Sequence, residues 1–309
     1  MIKLISGNAN LDLSKQVASK LGIELSKTIV RRFSDGEIEV KIIDNVRGAD
    51  CYIIQSTHPP VNENLMELLV ITDALKRASA KEIIAVVPYY GYSRQDRKSE
   101  SRVPITARLI ANLFVAAGIT RVITMDLHAG QIQGFFDIPI DNIYALPVIL
   151  NYFKKKELKD IVIVSPDSGG IERARNFSRY FDAELAIADK RRSRPNEAIV
   201  MNIIGKVENK TCIILDDLVD TAGTFTKVAE VIKAKGAKRI FAAASHGILS
   251  GNAMQVIHDS HIEELIITDS IPLPRRKYTE KIVVLSIVPI LAKVIAMISK
   301  NESLNIDLF

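Results

Sequence analysis

Continuous runs of isoleucine and valine recur along this chain and alternate with segments of helical character. Such runs, which polar residues do not interrupt, are typical of strands buried on both faces of a parallel sheet. Strands are predicted at residues 3–6, 52–55, 82–87, 122–125, 161–165, 186–188, 211–215, 239–244, 264–268 and 282–286. Helices between them are predicted at residues 64–78, 105–117, 171–181 and 224–235. The alternation predicts the α/β class, with mostly parallel sheets flanked by helices.

The two halves of the chain share one pattern. In the first half, an apolar run at Tyr52 is followed by a polar loop, a helix and a second run at Glu82. In the second half, the same order leads from Cys212 to Arg239. A duplicated domain explains this pattern, and so does the general similarity of βαβ units. The length of 309 residues suits two domains. We predict domains at residues 1–145 and 146–309, with the last helix packing on the first domain.

Composition narrows the class of protein. The 41 basic and 36 acidic residues give a net charge of +5, and no long basic arm is present. The two cysteines lie at the start of apolar runs, which predicts buried strand residues rather than a disulfide. The first residues lack the apolar core of a signal peptide. The most apolar stretch, residues 282–298, is interrupted by Pro289 and Lys293 and is short for a membrane span. We therefore expect a cytoplasmic protein that binds neither nucleic acid nor membranes.

One segment carries most of the chemistry. Asp216 and Asp217 directly follow the predicted strand 211–215, and carboxylates at that end of a strand face the ligand crevice of an open α/β sheet. Leu218 and Val219 come next, although a turn has no need of two apolar residues. The loop and helix start beyond them offer backbone and hydroxyl donors that suit a phosphate monoester: Asp220, Thr221, Ala222, Gly223 and Thr224. The acidic pair would repel phosphate, so it serves either sugar hydroxyls or a metal ion. The segment predicts a site for a phosphorylated sugar.

Other polar segments also follow predicted strands. A cationic cluster at residues 94–98 suits a triphosphate. His128 lies beside a carboxylate just past the strand 122–125, and Asp167 lies where a strand-end carboxylate can bind Mg²⁺. A basic run covers residues 190–194. Taken singly, the basic clusters at residues 94–98 and 190–194 are more typical of a solvated surface, and a lone histidine more often has a structural role. No Gly-x4-Gly-Lys-Ser/Thr sequence occurs, so an ATP site here requires another framework.

In their order along nearly the whole chain, these segments resemble the motifs of the ribose-phosphate pyrophosphokinase family. The resemblance implies that Asp216 and Asp217 hold ribose hydroxyls and that residues 220–224 hold the 5-phosphate. It also implies a set of ATP contacts, namely Phe33, Asp35, Gly36, Glu37, Arg94, Gln95 and Asp96.

The resemblance assigns the remaining polar segments as well. His128 and Asp167 are implied to bind metal. Lys190 is implied to act on the transferring diphosphate, and Arg192 to contact the ribose phosphate or the transition state. The implied metal is Mg²⁺, which would bridge the phosphates of ATP.

The same resemblance implies two similar domains of type I phosphoribosyltransferase-like fold and an assembly of dimers into a hexamer. The implied reaction moves the β,γ-diphosphate of ATP to the 1-hydroxyl of ribose 5-phosphate and releases AMP. Two rival hypotheses remain open. A phosphoribosyltransferase would use residues 216–224 but leave residues 33–37 and 190–194 without a role. A regulatory subunit without activity would be expected to lack catalytic residues that this chain retains.

Overall fold

The computed structural model describes residues 1–191, 200–274 and 279–304, the side chains at 190, 191, 200 and 201 excepted, and it confirms the α/β class. The chain forms two compact units. The first unit comprises residues 1–144, 270–272 and 287–309, and the second comprises residues 145–269 and 273–286. Residues near the carboxyl terminus therefore belong to the first unit together with the amino-terminal segment.

The first unit is built around a parallel sheet. Its strands are β1 (Ile2–Ser6), β4 (Asp50–Ile54), β5 (Glu82–Val87), β6 (Arg121–Met125) and β7 (Ile140–Ile143). They lie in the order β1-β4-β5-β6-β7, and every neighbouring pair is parallel. A separate antiparallel hairpin consists of β2 (Thr28–Arg32) and β3 (Ile38–Ile42). The helical segments are α1 (Leu11–Leu21), α2 (Val61–Arg77), α3 (Thr106–Ala117), a 3₁₀ helix (Gly130–Phe135) and α8 (Val288–Ser299).

The second unit contains a larger sheet. Its strands are β8 (Ile161–Ser165), β9 (Glu184–Arg191), β10 (Val200–Ile204), β11 (Thr211–Val219), β12 (Arg239–Gly247), β13 (Glu264–Thr268) and β14 (Ile282–Leu285). They lie in the order β10-β9-β8-β11-β12-β13-β14, and only the edge strand β10 runs antiparallel to its neighbour. The helices are α4 (Leu146–Lys154), α5 (Ile171–Arg179), α6 (Gly223–Ala234) and α7 (Ala253–His258). Parallel strands bring their carboxyl ends to one edge, and that edge positions the site.

Both cysteines confirm the sequence prediction. Cys51 in β4 and Cys212 in β11 are free and fully buried. Burial raises the pKa of Cys51 to about 11 and that of Cys212 to about 12. Both thiols are therefore protonated at neutral pH and are inert as nucleophiles. Among the described residues, no helix combines the length and the apolar character that crossing a bilayer demands.

A polar cluster ties α4 to the start of β13 within the second unit. Tyr152 donates its hydroxyl proton to Glu264 Oε2 at 2.5 Å, and Lys156 Nζ donates to Oε1 at 2.7 Å. The same lysine lies over the rings of Tyr152 and Phe241. Burial opposes ionisation of Glu264, but the hydrogen bonds from Lys156 and Tyr152 outweigh it and lower the pKa of this carboxyl below its ordinary value.

Replacing Glu264 with glutamine is expected to lower the free energy of unfolding by about 1–2 kcal/mol at neutral pH, because two donors lose a charged acceptor. A carboxyl whose pKa is depressed in the folded state stabilises the protein above its unfolded pKa and loses that effect as the pH falls through the folded value. The deficit of the variant should therefore shrink below about pH 4. The thermal midpoints of wild type and Glu264→Gln are compared at neutral pH and below about pH 4. Glu208→Gln, on an exposed turn, is the control. A deficit of equal size at both pH values would contradict the assignment.

Candidate active site

The acidic pair lies inside a strand and not after one. β11 continues through Asp216 and Asp217, and Leu218 and Val219 still pair with β12. The prediction that this strand ends at residue 215 is therefore wrong. The physical reason is that β12 also runs on, so the backbone of the acidic residues finds hydrogen-bond partners in the sheet. The two apolar residues belong to the strand, which explains why no turn calls for them.

Arg173 on α5 contacts both members of the acidic pair. Its Nη1 atom donates to Asp216 Oδ1 at 3.1 Å and to Asp217 Oδ1 at 3.2 Å. The backbone N–H of Asp217 donates to the same Asp216 oxygen at 2.9 Å. The side chain of Asp217 is only 4% exposed, whereas Asp216 and Arg173 are 18% and 24% exposed. This is a largely buried group of two carboxylates and one guanidinium.

The electrostatics of the pair are dominated by crowding of negative charge. Burial raises the pKa of Asp216 well above its usual range, and the neighbouring Asp217 raises it further. Arg173 opposes this shift, and Asp167 adds to it. A donor that approaches the Asp216 carboxylate would therefore favour its charged form.

Asp167 follows β8 in a tight loop. Its Oδ1 atom accepts the backbone N–H of Gly169 at 2.9 Å and that of Gly170 at 3.2 Å. Ser165 Oγ donates to the backbone carbonyl of Asp167 at 2.7 Å. A Cβ atom on Gly170 would lie 2.9 Å from Ser165 Oγ and 3.7 Å from Asp216 Oδ1. The absence of a side chain at Gly170 thus allows this loop to approach the acidic pair.

The predicted phosphate loop precedes α6, as its sequence indicates. Ala222 adopts a left-handed conformation with φ 64°, and α6 begins at Gly223. Asp220 is held by Ser250, whose hydroxyl donates to the carboxylate and whose backbone N–H donates to the Asp220 carbonyl at 3.1 Å. The first N–H groups of a helix have no acceptor within it and point towards any ligand at that end. Thr221 is exposed and Thr224 half-buried at the same helix start.

The predicted catalytic residues fall at the limit of the described chain. The backbone of Lys190 belongs to β9, where it pairs with residue 201 of β10. The side chain of Lys190 and the whole of Arg192 lie outside the described residues. Their predicted roles stay predictions.

The first unit positions the segments predicted to contact ATP. Phe33, Asp35, Gly36 and Glu37 form the turn of the β2–β3 hairpin, in which Glu37 donates its N–H to Asp35 Oδ1 at 3.0 Å. The ring of Phe33 is 51% exposed. An ion pair between Arg32 and Glu63 connects the hairpin to the first turn of α2. The hairpin turn thus presents an exposed aromatic ring and two carboxylates.

The loop after β5 carries the other predicted ATP contacts. Gln95 accepts the hydroxyl proton of Thr106 at 2.5 Å through Oε1, and Asp96 Oδ2 accepts from Gln131 Nε2 at 3.2 Å. Arg94 precedes them and is exposed. The bond from Asp96 to Gln131 joins this loop to the segment that follows β6.

His128 lies in that segment, on an exposed turn between β6 and the 3₁₀ helix. The turn is braced by β7, because Asn142 Oδ1 accepts the N–H of Leu127 at 3.0 Å and the Ile143 carbonyl accepts that of Asp126 at 2.9 Å. His128 therefore belongs to the same group of loops as Arg94, Gln95 and Asp96. Within the second unit, the corresponding group comprises Asp167, Asp216, Asp217 and residues 220–224.

Two residues of this site were missed by sequence reasoning. Arg173 lies at the third position of α5, where a cation opposes the helix dipole. That unfavourable position was a usable signal for an anionic partner nearby. Ser250 offered no such signal, because only the fold brings the loop after β12 to Asp220.

Two family models match the chain. The model described as the N-terminal domain of ribose phosphate pyrophosphokinase matches residues 2–118, and the model described as the phosphoribosyl synthetase-associated domain matches residues 187–309. A ribose-phosphate pyrophosphokinase of Bacillus caldolyticus is 53% identical over 305 residues, which cover 99% of this chain and 97% of the relative. That of Bacillus subtilis (strain 168) is 54% identical over 304 residues, which cover 98% and 96%.

A solved structure is also similar over nearly the whole chain. The crystal structure of phosphoribosylpyrophosphate synthetase from Mycobacterium smegmatis aligns with a TM-score of 0.92 and 39% identity. The alignment covers 97% of this chain and 99% of that one. The similarity therefore extends across both units.

Proposed function

The chain belongs to the ribose-phosphate pyrophosphokinase family, and we propose how its residues carry out the reaction of that family. The enzyme is a transferase of nucleotide biosynthesis. It moves the β,γ-diphosphate of ATP to the 1-hydroxyl of ribose 5-phosphate, which gives 5-phosphoribosyl 1-diphosphate and AMP. The assignment of residues rests on one observation: the acidic pair and the start of α6 lie at the same edge of the sheet in the second unit.

The acidic pair binds the hydroxyl groups of the ribose. Asp216 and Asp217 already share one positive charge, because Arg173 donates to both. A second, doubly charged cation would have to approach that guanidinium closely. Neutral hydroxyl groups incur no such repulsion and supply the donors that carboxylates require. This argument favours sugar hydroxyls over a metal ion, the choice that the sequence left open.

The 5-phosphate binds at the start of α6. The positive end of the helix dipole and the N–H groups of the first helical turn suit an anion. The left-handed conformation of Ala222 bends the backbone at the helix N-cap, a geometry that can form an anion-binding concavity. Thr221 and Thr224 add hydroxyl donors, and Asp220 is kept in place by Ser250.

ATP binds to the loops of the first unit. Phe33 offers an exposed ring against which the adenine can stack. Arg94 supplies a cation for the phosphates, and Gln95 and Asp96 are positioned by hydrogen bonds to Thr106 and Gln131.

Mg²⁺ is the proposed cofactor, and Asp167 fits it. Oδ1 of this carboxylate is used by two backbone N–H groups, whereas Oδ2 has no protein partner among the described residues. Within the described part of the chain, no cluster of three or more His, Cys, Asp or Glu side chains is arranged to hold a metal. Mg²⁺ ordinarily takes one or two carboxylates together with waters and substrate phosphates, so a single carboxylate suffices. When bound, the ion neutralises phosphate charge. His128, in the loops of the first unit, is also proposed to bind Mg²⁺, although imidazole is a less usual partner for this ion than a carboxylate.

Lys190 and Arg192 are proposed to stabilise the negative charge that develops on the transferring diphosphate, with Arg192 also contacting the ribose phosphate. Catalysis of this kind depends mainly on positioning and electrostatic stabilisation. The hexamer and the cytoplasmic location stay predictions.

Release of AMP from ATP tests the assignment. We expect AMP to appear only when ribose 5-phosphate and Mg²⁺ are both present, and to stop when the metal is chelated. Mass spectrometry should find the diphosphate on the sugar. A phosphoribosyltransferase would release no AMP from this mixture, and a subunit without activity would leave ATP intact. Either result would contradict the proposed function.

A further inference from the structure

Arg173 on α5 contacts both members of the acidic pair within the second unit. A single nitrogen, Nη1, lies between Oδ1 of Asp216 and Oδ1 of Asp217. The guanidinium therefore fixes the two carboxylates relative to each other and not one alone.

The charges around the pair favour such a cation. Asp217 is almost fully buried, Asp216 is adjacent in the chain, and Asp167 adds a third negative charge from the loop after β8. Neighbouring carboxylates of this kind repel each other unless a cation or hydrogen-bond donors intervene. The backbone N–H of Asp217 helps by donating to Asp216, but it carries no net charge.

The position of Arg173 in its helix supports a functional reason for it. Residues in the first turn of a helix experience the positive end of the dipole, so an arginine there is unfavourable for α5 itself. The contact with two carboxylates offsets this cost. Arg175, two residues further along α5, is exposed and makes no such contact.

We propose that Arg173 is a positioning residue for ribose 5-phosphate: through its contacts with Oδ1 of Asp216 and Oδ1 of Asp217 it holds the acidic pair in the arrangement that accepts hydrogen bonds from the sugar hydroxyls. The proposal rests on the function proposed above for the acidic pair. It assigns Arg173 no contact with the diphosphate or with ATP. Loss of this residue should therefore affect one substrate selectively.

A purely structural role for Arg173 makes a different prediction. If the arginine only tied α5 to β11, its loss would lower the thermal midpoint and reduce the active fraction, without changing the preference between substrates. If it positions the acidic pair, its loss raises the KM for ribose 5-phosphate and leaves the KM for ATP nearly unchanged. The ratio of the two KM changes separates these roles.

The experiment compares wild type with Arg173→Gln, Arg173→Lys and the control Arg175→Gln, all as full-length chains. The KM for each substrate is measured at saturation of the other. Binding of ribose 5-phosphate is measured by calorimetry, and the thermal midpoint of each variant is recorded. For Arg173→Gln we expect the KM and Kd for ribose 5-phosphate to rise by about 30-fold or more, with the KM for ATP within about threefold. Arg173→Lys keeps the charge but loses the planar guanidinium, so we expect an intermediate value. Arg175→Gln should match wild type.

Equal changes in both KM values, or an unchanged KM for ribose 5-phosphate, would overturn the proposal. If Arg173→Gln does not fold, Arg173→Lys provides the test. Full activity of Arg173→Lys with an unchanged KM for ribose 5-phosphate would also overturn the proposal. Failure of the proposed function is a separate result, because it would appear as wild type that neither binds ribose 5-phosphate nor releases AMP in its presence.

Discussion

Replacing Lys190 with alanine is expected to lower kcat by about 1000-fold while both KM values stay within about threefold. A cation that contacts the diphosphate most strongly in the transition state contributes little to binding of the ground state. Its removal therefore slows the chemical step and leaves substrate binding nearly intact. Lys190→Arg keeps a positive charge and should recover part of the lost rate.

The backbone of the second unit supports this role for Lys190. β8 and β9 are parallel, and Ser165, the last residue of β8, pairs with Ile187. Lys190 follows three residues later on β9, beyond the carboxyl end of β8. The loop with Asp167 leaves β8 at that same end. The sheet topology thus brings the chain at Lys190 to the edge that carries the carboxylates.

Steady-state kinetics with each substrate varied in turn measure the effect. Lys206→Ala is the matched control. Lys206 is an exposed lysine two residues beyond Ile204, the last residue of β10. The control should retain wild-type kcat. A kcat for Lys190→Ala within tenfold of wild type would remove Lys190 from the catalytic step.

The buried strands were the part of the fold most accessible from sequence. β5, β8 and β13 have the bounds that their apolar runs predict, because strands covered on both faces consist almost entirely of apolar residues. The hairpin β2–β3 was missed for the same reason. Its strands are half exposed and carry charged residues such as Arg31 and Glu39, which pair across the hairpin. A search for continuous apolar runs cannot find strands of this kind.

The residues of the site also differ in how far the sequence could identify them. Asp216 and Asp217 were identified because their residue type and their position after an apolar run carry the signal locally. Their environment was not predictable, since the contacts of Arg173 span 43 and 44 residues along the chain. The same holds for Ser250, which reaches Asp220 from 30 residues away. Local patterns identify groups that bind a ligand, whereas the groups that orient them depend on the packing of distant segments.

Replacing Asp217 with asparagine is expected to raise the KM for ribose 5-phosphate by roughly 100-fold and to leave the KM for ATP within about threefold. The substitution keeps the shape of the side chain but removes its charge. Arg173 then pairs with Asp216 alone, and the sugar loses a charged acceptor in a buried position. A hydrogen bond to a charged group contributes about 1.5–3 kcal/mol, which is the basis of the expected change.

Asp259→Asn is the control for Asp217→Asn, since Asp259 is an exposed carboxylate beside His258 at the end of α7. It should leave both KM values unchanged. The Asp217 variant also tests whether the acidic pair binds sugar or metal. If the pair held Mg²⁺ instead, Asp217→Asn would raise the Mg²⁺ concentration needed for half-maximal activity and weaken ATP and ribose 5-phosphate together. A selective loss of ribose 5-phosphate at unchanged Mg²⁺ dependence is the outcome that a hydroxyl-binding carboxylate requires.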